Sequence, residues 1–186
     1  MEPIQETNKR TITLASAVFG LYIGVVLIAF DIILWMVSAK GTSLMQNFNI
    51  ILLVAGIVLA IRFYRDKDLQ GYISYKNALK MGTLLSFFAS LILGFDTYVL
   101  LKFIDPSLMQ VILDASEKLL IESGRSDAEV EMMMTVTQQV TTPFILLVST
   151  IFSITFWGAL FSLLIAFLLR KEKSVFDNDD TTIINQ

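Results

Sequence analysis

The sequence predicts an all-α fold: a four-helix bundle integral to a membrane, with an extracytoplasmic helical hairpin between helices three and four. Three observations predict it. Hydrophobic residues make up 55% of the 186-residue chain and charged residues only 17%, against about 45–50% and about 25% in soluble domains, and the mean hydropathy is +0.68. Four stretches have the roughly 20 mostly apolar residues needed to cross a hydrocarbon core about 30 Å thick. Between the third and fourth lies a polar stretch with the start and stop signals of two short helices. This composition excludes a disordered chain, which combines low hydrophobicity with high net charge. The lack of Cys and His excludes disulfides, thiolate nucleophiles, the commonest general base and the commonest metal ligands. Any chemistry falls to Asp, Glu, Lys, Arg, Tyr, Ser or Thr, and no cofactor is expected.

The first span is read over 11–37, with residues 11–30 free of charge before Asp31. Lys9 and Arg10 before it and Val37, Ser38 and Ala39 after it imitate a signal peptide. The apolar run exceeds the 7–15 residues of a signal core, so an uncleaved span is expected. The second span is read over 44–64, its apolar part preceded by Gln46, Asn47 and Asn49, and the third over 81–101, interrupted by Asp96. The fourth is read over 144–169, begun by Pro143, which fits a helix's first turn better than its interior.

Lys and Arg set the expected orientation. Lys9, Arg10, Arg62, Arg65, Lys67, Lys76, Lys80, Arg170, Lys171 and Lys173 fall on one side, and Lys40, Lys102, Lys118 and Arg125 on the other. Ten against four places both termini in the cytoplasm. The segment 105–142 opens with Asp105 as N-cap and Pro106 at the first helical position. Leu108, Ile112 and Leu119 give it an apolar face for the membrane surface or the bundle, and Gly124 a C-cap. Ser126 and Glu129 then have capping-box spacing for a second helix. Seven acids against Lys102, Lys118 and Arg125 give 102–142 a net charge of −4. Residues 1–173 form one membrane domain and 174–186 a short acidic cytoplasmic tail.

Two intramembrane carboxylates stand out, because a charge within a span is costly and points to function by default. Asp31 and Asp96 each lie about one and a half turns before the outer end of a span, roughly 8 Å inside it at 1.5 Å per residue. If their faces meet they form a carboxylate pair, the arrangement of a proton or cation site. Alternatively they are near-interface residues satisfied by water, Thr97, Tyr98, Lys40 or Lys102. Small residues recur every four positions, at Ser16, Gly20 and Gly24, at Gly82, Ser86, Ser90 and Gly94, and at Gly158, Ser162 and Ala166. Such stripes let helices approach closely. Packing within the chain is expected, with a homodimer face as the alternative. Trp157, in the middle of span four, is read as a packing residue. No phosphate loop, nucleophile motif or metal cluster is present, and a net charge of −3 gives nucleic-acid binding no support.

Three stretches resemble a known family: Gly71-Tyr72-Ile73-Ser74-Tyr75-Lys76-Asn77-Ala78-Leu79-Lys80-Met81-Gly82 leading into span three, Phe103-Ile104-Asp105-Pro106 after it, and Ser162-Leu163-Leu164-Ile165-Ala166 followed by Arg170-Lys171. The chain resembles, from Lys9 to Lys173, a group of four-span bacterial inner-membrane proteins of unknown function common in Bacteroidota. The resemblance implies the span count and location and contributes no catalytic or binding residues. The expected function is a non-enzymatic accessory or scaffold of the inner membrane. The alternative is a small ion- or proton-coupled transporter using Asp31 and Asp96. Expected partners are the lipid bilayer and either a second copy or another membrane protein.

Overall fold

The computed structural model describes residues 11–36 and 43–171. Lys9 and Arg10, the Val37–Ala39 site, Lys40, Lys173, the acidic tail and the side chains of Trp35, Gln46 and Asn47 lie outside what it describes. The fold is all-α. The helices are α1 (Ile12–Met36), α2 (Ser43–Lys67), α3 (Tyr75–Val99), α4 (Ser107–Glu122), α5 (Asp127–Val140) and α6 (Pro143–Leu169). α1, α2, α3 and α6 are long and apolar enough to cross a membrane. Few of their apolar side chains are covered by protein: Leu21, Val25, Leu59, Phe152 and Leu168 are among the large ones left exposed. A helix suits lipid because it satisfies its own backbone groups.

Several helix boundaries refine the sequence reading. α3 starts at Tyr75 rather than 81, because Ser74 caps it, its hydroxyl accepting a 3.4 Å bond from the Asn77 N–H. α2 runs on to Lys67 and ends where Gln70 and Gly71 take positive φ of 55° and 88°, a conformation glycine adopts without strain. Thr142 caps α6, accepting from the Ile145 N–H at 3.3 Å, and Pro143 fills its first position. α3 continues into a π-helical turn, Leu100–Ile104, which the sequence reading did not include. The Asp105 N–H closes it on the Leu100 carbonyl at 2.8 Å. α4 therefore begins at Ser107, with Pro106 rather than Asp105 in the capping position.

α3 is the hub, packed along one side by α6 and along another by α1. Its face toward α6 is the small-residue stripe. A side chain at Gly82 would meet Ser162, one at Gly158 would meet Ser86, and one at Gly94 would meet Ile151 2.8 Å away. Ser90 meets Thr155 at 3.0 Å, hydroxyl to hydroxyl. The paired numbers fall on one helix as they rise on the other, so α3 and α6 are antiparallel and interlock small residue against small residue. The buried hydroxyls of Ser16, Ser86 and Ser162 donate to carbonyls of their own helices at 2.7, 2.9 and 2.6 Å, so they pack as compact residues without orphaned donors. Gly20 and Gly24 bring α1 onto Leu85, Phe88, Ala89 and Ile92. Here the numbers rise together, so α1 and α3 are parallel.

The core is concentrated at the end of the bundle that carries residues 11 and 171, called here the terminal end. Ile57, Ile61, Tyr64, Met81, Leu85 and Ile165 are buried there. α2 and α6 are tied together at that end, where Arg65 reaches the Leu169 carbonyl at 3.5 Å. Ile73 and Lys171 exchange backbone hydrogen bonds of 2.8 and 2.9 Å.

At the other end α4 and α5 form a hairpin that packs on itself and on the π-turn. α5 buries Val130 and Met134, while α4 has no fully buried residue. Of the face expected to meet the membrane surface or the bundle, Leu108 and Ile112 are half-buried and Leu119 is 67% exposed. Gly124 follows the α4 C-cap, Ser123, with φ of 76°. At α5 the Glu129 carboxylate accepts from the Ser126 N–H and hydroxyl at 3.0 and 2.9 Å. Those bonds, the backbone one foremost, hold the Glu129 carboxyl below its ordinary range, with Arg125 assisting. A depressed folded-state pKa contributes stability above the unfolded value, lost as pH falls through the folded one. Hydrogen exchange at the first-turn amides of α5 is therefore expected to quicken as pH drops below the ordinary carboxylate range, and Glu129→Gln to weaken that dependence.

Candidate functional site

Above the tied terminal end, α2 and α6 part. The space between them, floored by α1 and α3, is a cavity of about 320 Å³ lined by all four spanning helices. Leu27 and Asp31 come from α1, Asn49, Ile50 and Leu53 from α2, Leu93 and Thr97 from α3, and Thr150, Ser153, Ile154 and Trp157 from α6. The polar groups collect on the side nearer the hairpin, over apolar walls. That arrangement suits a small-molecule site, where few placed polar groups orient a ligand held by apolar contact.

Asp31 is half-buried, and the Asn49 amide donates to its Oδ1 at 2.7 Å. This bond fixes which way the amide points. It leaves Asn49 Oδ1 buried with no hydrogen-bond partner among the described residues. A buried acceptor without a donor costs about 1–3 kcal/mol. Thr97 donates its hydroxyl proton to the Leu93 carbonyl at 2.9 Å and keeps acceptor capacity toward the cavity.

Asp31 and Asp96 lie within electrostatic reach of each other but line different spaces. Asp96 faces a groove of about 360 Å³ between α1 and α3, with Ile28, Leu91, Ile92, Phe95 and Val99. Of the groups considered as alternatives, Thr97 is bonded to its own helix and Lys102 donates to the Tyr98 hydroxyl at 2.7 Å. The partner of Asp31 is Asn49, which the sequence reading noted only as a polar residue at the entry of span two. An amide inside an apolar run is the signal that singles it out. Trp157, read as packing, stands 46% exposed at the cavity wall, its ring 6.0 and 6.2 Å from Phe156 and Phe161. Gly20, Gly24, Gly82, Ser86, Ser90, Gly94, Gly158 and Ser162 all lie on the α1–α3 and α3–α6 contacts within the chain. No group of three or more acidic residues able to hold a metal occurs among the described residues.

The family model described as protein of unknown function, DUF4199, matches residues 18–171. The chain belongs to the DUF4199 family. The matched stretch runs from within the first span through the other three, with the hairpin and every lining residue of the cavity. No curated protein and no solved structure gives a match.

Proposed function

We propose that this chain is a non-enzymatic accessory or scaffold protein of the bacterial inner membrane, with both termini in the cytoplasm and the α4–α5 hairpin on the outer side. The hairpin carries this reading. Its inner faces pack on each other, and each helix leaves an apolar stripe outside: Val111 and Leu119 on α4, Met132, Val136 and Val140 on α5. The surrounding net charge of −4 disfavours an anionic leaflet and suits a membrane-protein partner with a basic outer surface. The ten-to-four division of Lys and Arg supports the orientation.

The chain has no cysteine, so Leu119→Cys and Met132→Cys report alone. Both are expected to react with a membrane-impermeant maleimide in intact spheroplasts. Each is also expected to give one discrete protein adduct with a cysteine-anchored photocrosslinker. Labelling only after lysis would overturn the orientation. Adducts to lipid alone would overturn the accessory reading.

One observation favours a second reading, ion- or proton-coupled transport using Asp31 and Asp96. The bundle is tied at its terminal end, and a cavity lined by Asp31 lies farther along it, which suits a carrier's binding site. Asp96, in its own groove, would then act as a separate proton-binding group rather than as half of a pair.

A further inference from the structure

We infer that the cavity between α2 and α6 is a binding site for a small protonated amine with an apolar body. The inference deepens the second reading by naming a ligand class, and it rests on Asp31 with the cavity around it rather than on Asp96.

Volume decides first. A cavity of about 320 Å³ holds roughly ten waters at about 30 Å³ each and sits at the low end of the range of small-molecule pockets, about 300–1,000 Å³. A proton or bare metal ion would leave most of it empty. Charge decides next: among the described residues Asp31 is the only ionisable side chain in the lining, which favours a cation. Among the described residues the Asp31 carboxylate accepts one side-chain hydrogen bond, from the Asn49 amide at 2.7 Å, and an ammonium N–H can serve its other oxygen. A quaternary ammonium has no N–H to give it. Trp157 lines the cavity from α6, deeper than Asp31, since it is level with Ser86 and Ser90 while Asp31 lies beyond the level of Ile92, and it can contact the body of the ligand. Leu27, Ile50, Leu53, Leu93 and Ile154 then demand an apolar remainder.

The test uses the full-length protein in detergent micelles with Trp35→Phe, so that Trp157 alone reports. Its emission is followed during titration with 2-phenylethylamine, with 2-phenylethanol as the neutral isostere and phenethyltrimethylammonium as the cation without N–H. A saturable change is expected with the amine at neutral pH, at least tenfold weaker with either analogue. Asp31→Asn, which keeps shape and removes charge, is expected to weaken amine binding at least tenfold while melting at an unchanged temperature. Trp157→Phe, followed by calorimetry, is expected to weaken it severalfold.

Equal affinity for amine and alcohol would overturn the inference, as would no saturable change, or binding indifferent to Asp31→Asn. Binding lost on Asp96→Asn but kept on Asp31→Asn would move the site to the other groove and also overturn it. Proton or sodium uptake by proteoliposomes that depends on both aspartates, with no amine binding, would overturn the inference and leave the coupled-transport reading standing. Amine binding without ion flux would do the reverse.

Discussion

Gly158→Leu is expected to destabilise the protein by about 3 kcal/mol or more, at or beyond the top of the range for overpacking a close-fitting interior. A Cβ at position 158 would fall onto the Ser86 side chain, and one at Gly82 onto Ser162. Both obstacles begin at a serine Cβ held by its backbone, so neither can swing aside as the end of a long side chain could. Lipid offers little hydrophobic drive between helices, so close approach with its dispersion contacts and interhelical bonds must hold the seam. Forcing α3 and α6 apart loses contacts along the whole stripe and strains the Ser90–Thr155 bond. Ser90→Leu is expected to cost less, about 1–3 kcal/mol. Ser86→Gly should recover part of the loss in the milder Gly158→Ala background, since contacting sites couple by about 0.5–3 kcal/mol. Reversible SDS unfolding in mixed micelles measures all four variants. Wild-type stability in Gly158→Leu would show that the seam does not hold the bundle together.

Asn49→Leu is expected to be the second most damaging change, and its size should depend on Asp31. Alone it removes the amide that donates to the Asp31 carboxylate at 2.7 Å and leaves that group without a donor beside apolar walls, at a cost of about 1–3 kcal/mol or more. The double variant Asp31→Leu/Asn49→Leu removes both partners. It is expected to regain the loss and to equal or exceed the wild type, because replacing a buried polar pair with apolar groups is often neutral or stabilising. The same unfolding titrations, run as a double-mutant cycle, decide it. A double variant whose loss equals the sum of its parts would show that the pair is not coupled. A stable double variant that no longer binds amine would show that the polar pair serves binding and not the fold.

Much of this molecule was legible along the chain because lipid imposes its requirements locally. A span must be long, apolar and helical wherever it packs, so α1, α2, α3 and α6 could be read from composition alone. Small residues at four-residue spacing announced a close-packing face, because that spacing repeats along one side of a helix. The capping serines and threonines, Pro143 and the turn glycine Gly124 act over three or four residues and mark helix ends just as locally. The π-turn after Val99 left no such mark, since it comes from how α3 hands over to the hairpin rather than from a residue preference.

The sequence by itself determined the membrane location, the number of spans, the hairpin and the stripes, all set within one helix or between a helix and lipid. The tertiary structure alone decided which stripe meets which. It placed Gly82 on Ser162 and Gly158 on Ser86, made α3 the hub, and set α1 parallel and α6 antiparallel to it. It also set Asp31 and Asp96 on the linings of different spaces, within electrostatic reach of each other. Equal depth follows from register along an axis, but partnership depends on rotation about it, and the angle at which each helix turns is set by packing against its neighbours. Packing on α3 through Gly20 and Gly24 turns Asp31 toward Asn49, Thr97 and Trp157 and leaves Asp96 in the groove between α1 and α3.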